Sequence, residues 1–329
     1  MRDPAFWHEL DLQSRRSAPM TRLMLTPIAS LYAWAGARRI EKAEPFDVGI
    51  PVICIGNLTV GGSGKTPIVK MVRNYLSSLG IRAASLSRGY RGKLKGPLKV
   101  DPGTHTAADV GDEPRMLAES GEAWIGADRV AAAEAMKAEG VQVIIMDDGH
   151  QNPTLQKDYT LIVIDGGNPV GNGFVFPKGP LREPVRTGLE RADAVIVMGE
   201  VSEDAPLPDF GGLPVTHGRV EPSETLPAGP FVAFAGIGRP QKFFDTLEGA
   251  GAELSEAVPF PDHHSYTARD IQFLKQLAHE REARLITTEK DFARLSAADR
   301  EGVSMLPVEA RFDGNDFEAL LAPLIRTLS

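Results

Sequence analysis

The sequence predicts an α/β protein: a P-loop NTPase-type parallel sheet flanked by helices, followed by a second, smaller α/β domain. Two observations carry that expectation. From about residue 48 onward, short apolar runs of strand length alternate with stretches of helical length, the pattern of parallel strands joined by crossover helices. The first such run leads directly into a glycine-rich loop and a helix-forming segment, "GNLTVGGSGKTP" (56–67), which puts a helix N-terminus at a strand end. The chain's 329 residues leave room for two units, each with its own core.

Taken in order, strands are expected at 49–55, 82–86, 141–146, 159–164 and 194–198. Helices fall between them at 65–79, 114–119 and 127–139. Gly80 and Gly140 stop the first and last of these, because glycine takes the left-handed conformation that closes a helix. Residues 166–186 form a long loop rich in Gly and Pro, and a loop of that length in a compact domain is usually functional or disordered. Six prolines between 206 and 230 mark the passage to the second unit, with strands at 231–235, 254–259 and 284–288 and helices at 241–249, 268–280 and 317–328. The expected division is an N-terminal segment 1–40, a nucleotide-binding body 41–222 and a smaller domain 223–329.

Net charge is −8, which argues against general nucleic-acid binding. The single Cys54 excludes an intramolecular disulfide and sits in an apolar run, as a core residue would. Residues 1–40 depart from the acidic average: six Arg against three acids give +3 there and −11 for the remainder. The apolar stretch 23–37 follows this basic start, without a small-residue cleavage site and shorter than the roughly 20 residues a bilayer span needs. Met20, Leu23, Met24, Pro27, Ile28, Leu31, Tyr32 and Ala35 share one helical face, with Thr26 and Pro27 suited to begin a second helical segment. Trp34 and Arg38-Arg39 suit a headgroup boundary. Two readings stand: an amphipathic helix on a membrane surface, or a helix packed against its own domain.

In the loop after the first strand, Thr59, Val60, Gly61, Gly62, Ser63 and Gly64 would wrap backbone N–H groups around a phosphate. Lys65 would reach the terminal phosphates and the Thr66 hydroxyl would take Mg²⁺. The general pattern asks for Gly where Thr59 stands, but Gly61 and Gly62 still supply permissive turns. Partner acids come from "VQVIIMDDGHQ" (141–151), where Asp147 and Asp148 end a buried strand at the ligand edge of the sheet. Arg88 and Arg91 lie in "SRGYRG", Asp112 and Glu113 in "GDEP", Arg182 and Glu183 in "GPLREP", and His263 and His264 in "FPDHHSYT", all in expected loops. An acid before a helix proline is also an ordinary cap, so Asp112 has a structural reading beside the chemical one. Arg182 is placed to neutralise charge on a transferring phosphoryl group.

In that order, "GNLTVGGSGKTP", "SRGY", "GDEP", "DDGHQ", "GPLRE", "DHH" and "TTEKD" (287–291), the motifs resemble the tetraacyldisaccharide 4'-kinases of lipid A assembly, a family that also carries Thr at position 59. The resemblance implies transfer of the γ-phosphoryl group of ATP to the 4'-hydroxyl of a tetraacylated disaccharide 1-phosphate, with Mg²⁺, at the cytoplasmic face of a bacterial inner membrane. It implies that the N-terminal segment contacts that membrane. It further implies a dyad of Asp112, the base, with His263 or His264, metal acids Asp147 and Asp148, and Arg182 and Glu183 near the triphosphate and metal. The family usually reads "DDGFQH", so His150 and Asn152 depart from it. Two rivals remain on the residues alone: a P-loop ligase forming an acyl or carbamoyl phosphate, and a membrane-associated nucleotide switch. For the switch, adjacent Lys290 and Asp291 lack the spacing of a guanine-reading element.

Overall fold

The computed structural model describes residues 4–328. In chain order its strands are β1 (Val52–Gly56), β2 (Ala83–Ser87), β3 (Leu98–Lys99), β4 (Ala123–Ile125), β5 (Val143–Asp147), β6 (Tyr159–Asp165), β7 (Ala194–Met198), β8 (Val215–Pro222), β9 (Pro230–Ala235), β10 (Glu253–Pro259), β11 (Arg284–Thr288), β12 (Val303–Leu306) and β13 (Val308–Phe312). The helices are α1 (Pro19–Glu41), α2 (Lys65–Ser78), α3 (Ala107–Val110), α4 (Asp112–Glu119), α5 (Arg129–Ala138), α6 (Val185–Leu189), α7 (Pro240–Gly249), α8 (Ala268–Glu280), α9 (Glu289–Arg294) and α10 (Asp316–Leu328).

Among the described residues, nine strands form the large sheet in the order β13-β8-β7-β6-β1-β5-β2-β4-β3, parallel except at its two edges. Every residue of β1, β5, β6 and β7 is buried, as parallel strands covered on both faces require. Alternation along each strand splits the core. Ile53, Ile55, Ile145 and Leu161 pack with Ile68, Val72 and Leu76 of α2, while Val52, Ile144 and Met146 pack with Ala132 and Met136 of α5. β1 lies between β5 and β6, so the loop after β1 opens beside the acids that end β5.

The second sheet, β10-β9-β11-β12, is entirely parallel. Residues 308–328 correct the expected division, which placed all of 223–329 in the smaller unit. β13 pairs antiparallel with β8, and Phe317, Leu320, Leu321 and Leu324 of α10 pack into the core of the large sheet. The smaller sheet is therefore an insertion between two neighbouring strands of the large one.

α1 is one helix, not two segments divided at Thr26-Pro27. Pro27 sits inside it, and Thr26 Oγ1 donates to Arg22 O at 2.9 Å. Arg22 and Ala29 face the body, whereas Met20, Leu23, Met24, Ile28, Leu31 and Trp34 are exposed. Arg39 Nη2 donates to Gln151 O at 2.8 Å, and Tyr32 stacks against Phe176 with ring centroids 5.3 Å apart. The helix thus rests on the 166–186 loop and on the segment after β5. No helix among the described residues is long and apolar enough to cross a membrane.

Candidate active site

Residues 57–64 carry the chain from β1 to α2 with Gly61 at φ 113° and Gly64 at φ 81°, values that favour glycine. The far end of the 166–186 loop braces this turn: Arg182 N donates to Leu58 O and Val60 N to Pro180 O, both at 2.7 Å. Ser63 Oγ is buried and has no hydrogen-bond partner among the described residues, and Gly64 offers no side-chain cap to the first turn of α2. A polar loop with a spare hydroxyl and uncapped helix N–H groups fits an anionic phosphate chain.

Lys65 Nζ lies 3.3 Å from Asp148 Oδ1, and Arg182 Nη1 lies 2.9 Å from Asp148 Oδ2. Burial alone would raise the Asp148 carboxyl, but Lys65 and Arg182 outweigh it and hold the group well below the usual carboxylate range. Asp147 goes the other way: burial pushes it up to about 7, with Lys65 opposing. Ser87 Oγ donates to Asp147 Oδ2 at 3.3 Å. Among the described residues no three His, Cys, Asp or Glu converge as a metal cage. Two carboxylates and the Thr66 hydroxyl are the hard oxygen donors that suit Mg²⁺ when it shares its shell with phosphate oxygens and water.

Glu183 does not join those acids. Both its oxygens accept from Arg191 Nη2 at 2.8 Å, and Oε1 also accepts from Gln151 Nε2 at 3.0 Å. It anchors the strap behind Arg182, so its expected place among the metal ligands is corrected.

Asp112 opens α4, and Gly111 before it (φ 97°) takes the cap position, which frees the Asp112 carboxylate from capping. His263 Nδ1 lies 2.7 Å from Asp112 Oδ2. Arg294 Nε and Nη2 donate to that same oxygen at 2.9 and 2.7 Å. Burial would raise Asp112, but His263 and Arg294 reverse this and hold it well below the usual range. His264 Nε2 instead meets Asp270 Oδ2 at 3.1 Å, inside the capping box of α8. Of the two candidate histidines, His263 is the one beside Asp112.

Comparison with known proteins decides the family. The profile described as "Tetraacyldisaccharide-1-P 4'-kinase" matches residues 21–326. The chain belongs to that family. It is 57% identical to a tetraacyldisaccharide 4'-kinase of Hyphomonas neptunium, covering 99% of this chain and 98% of the relative. With the enzyme of that name from Caulobacter vibrioides it shares 49% identity over 97% of each chain. Among solved structures it is similar to LpxK from Aquifex aeolicus in complex with ATP. The TM-score is 0.74 at 26% identity, over 92% of this chain and 99% of that one. Family and structural likeness together establish a P-loop, ATP-dependent kinase.

The two departures from the 4'-kinase pattern are structural. His150 is buried, its Nε2 2.9 Å from Gly188 O, and burial with Arg191 nearby lowers it to about 3, so the ring is neutral at pH 7. Asn152 Oδ1 accepts from Thr154 N at 2.9 Å and closes a turn. What sequence reasoning missed lies between the two sheets. Lys290 pairs with Glu113 at 2.7 Å, Glu289 with Lys70 at 2.6 Å, Lys242 and Arg239 with Asp165, and Arg294 with Asp112. "TTEKD" was visible as a motif, and its middle pair turns out to grip α2 and α4.

Proposed function

We propose that this chain transfers the γ-phosphoryl group of ATP to the 4'-hydroxyl of a tetraacylated glucosamine disaccharide 1-phosphate, the step of lipid A assembly that yields lipid IVA. The observation that carries the reading is the pairing of Asp112 with His263 at 2.7 Å, an acid of the larger unit met by a histidine of the smaller one. Lys65 and Arg182 draw on the phosphate oxygens and, as these arrive, exchange Asp148 for them. Mg²⁺, held by Thr66, Asp147 and Asp148, would shield the charge of the phosphate chain when bound. Asp112, kept ionised, accepts the hydroxyl proton, and His263 orients it. Phosphoryl transfer asks mainly for positioning and charge neutralisation, so a weak carboxylate base is sufficient.

The exposed apolar surface of α1 supports a peripheral seat on the cytoplasmic face of the inner membrane. There the enzyme would meet an acceptor whose acyl chains stay in the bilayer. A ligase has no use for such a surface, and a membrane-associated nucleotide switch has none for an acid-histidine pair. The test is Asp112→Ala: turnover on the lipid acceptor is expected to fall about 10²-fold or more, with the KM for ATP changed less than about threefold. Equal loss in both would remove Asp112 from the chemistry.

A further inference from the structure

Arg294, the last residue of α9, is 5% exposed and fully engaged. Beyond its two bonds to Asp112 Oδ2, its Nη2 lies 3.3 Å from His263 Nδ1, and its Nη1 donates to Asp291 Oδ1 and Gly236 O, both at 2.7 Å. Asp291 is itself fixed: its Oδ2 accepts from Gly236 N at 3.0 Å and from Thr288 Oγ1 at 2.7 Å. A planar guanidinium gripped on both sides cannot swing away, as a lysine in its place could. Every group that anchors it belongs to the smaller unit, whereas Asp112 opens α4 of the larger one. All the hydrogen bonds to Asp112 from these partners go to Oδ2, and among the described residues Oδ1 accepts none.

We propose that Arg294 is a positioning residue for the phosphoryl transfer, locking Asp112 onto His263 across the two units so that Oδ1 alone faces the acceptor hydroxyl. This rests on the reading of Asp112 as the base. The charged groups around Asp112 are His263, Arg294 and Lys290, with Glu113 next to it in the chain and Asp262 at 3.7 Å from His263 Nε2. Arg294 in turn feels Asp291 and Tyr266. Removing the guanidinium takes away a cation that holds the Asp112 carboxylate ionised, so a proton binds that carboxylate more tightly. The acid limb of the kcat profile then moves to higher pH.

The experiment compares the full-length enzyme with Arg294→Gln and Arg294→Lys, using ATP and tetraacyldisaccharide 1-phosphate in micelles. It reads kcat, the KM for ATP, the kcat–pH profile and the thermal midpoint. Arg294→Gln is expected to lower kcat about 10²-fold, leave the KM for ATP within about threefold, and raise the acid limb by about one pH unit. Arg294→Lys keeps the charge without the fork: it should hold the limb in place and lose about tenfold in kcat. An unmoved limb in Arg294→Gln, with transfer intact in the unsubstituted enzyme, overturns the proposal alone. Wild-type kcat in Arg294→Lys also overturns it, and serves as the deciding result if the Gln variant does not fold. No transfer by the unsubstituted enzyme overturns the kinase reading and this inference with it.

Discussion

Replacing Leu23, Met24 and Leu31 together by Ser tests whether α1 is a membrane seat or a helix that merely lacks a cover. These side chains are 67%, 75% and 62% exposed. Complete burial of such a side chain contributes roughly 1.5–3 kcal/mol, so the exposed two-thirds of each contributes about 1–2 kcal/mol on entering the acyl boundary. Together that is about 3–6 kcal/mol, or roughly two to four decades in the partition coefficient. The assay is co-sedimentation with anionic phospholipid vesicles across a range of lipid concentrations. Since all three side chains already face solvent, the thermal midpoint should move by no more than about 2 °C. Phe273→Ser, which removes a 54% exposed aromatic from α8, is the control and should leave binding unchanged. Binding of the triple variant within about threefold of the parent would refute the membrane seat, as would an equal loss in Phe273→Ser.

Three further outcomes follow from particular contacts. Arg73 is buried and donates to Leu117 O, Glu122 O and Ser120 Oγ, so Arg73→Met strands three acceptors and should destabilise the protein by about 2–4 kcal/mol in a denaturant titration. Gly56→Ala would set a Cβ 2.4 Å from His150 Cβ at the root of the phosphate loop. Calorimetric ATP titration should show weaker binding together with a loss of about 1–3 kcal/mol in stability. Asp112 is held below its ordinary value, so the stability it contributes is complete above the unfolded aspartate pKa near 4 and is lost as pH falls towards the native value. Thermal midpoints between about pH 5 and pH 2 should therefore fall less steeply in Asp112→Asn than in the parent.

The phosphate loop and its acids were legible because their information is local. Strand, turn and Gly64-Lys65-Thr66 are contiguous, and Asp147-Asp148 close a run whose burial follows from composition alone. Pairing between distant segments was not. Neither β13 nor β8 is expected from the sequence, β8 lying in the proline-rich passage, and only their pairing across about 90 residues returns 308–312 to the large sheet. His263 and His264 are neighbours with equal claims until Thr267 and Asp270 are recognised as a capping box that takes His264, a signal present in "TARD". The family resemblance puts Glu183 near the metal, and nothing in the local sequence shows that Arg191, eight residues on, folds back to hold it. At Pro27 the sequence favours a break, because an internal proline removes a helix hydrogen bond, yet α1 runs through it, with Arg22 over the Phe174 ring before it and Arg39 on Gln151 O after it.

The most direct test is transfer of labelled γ-phosphate from ATP to tetraacyldisaccharide 1-phosphate in detergent micelles, with Lys65→Ala as control. A labelled bis-phosphorylated lipid, carrying its new phosphate at the 4' position and absent from the control, is the expected result. Intact ATP binding with no label in the lipid would contradict it, leaving the phosphate loop without the acceptor assigned to it.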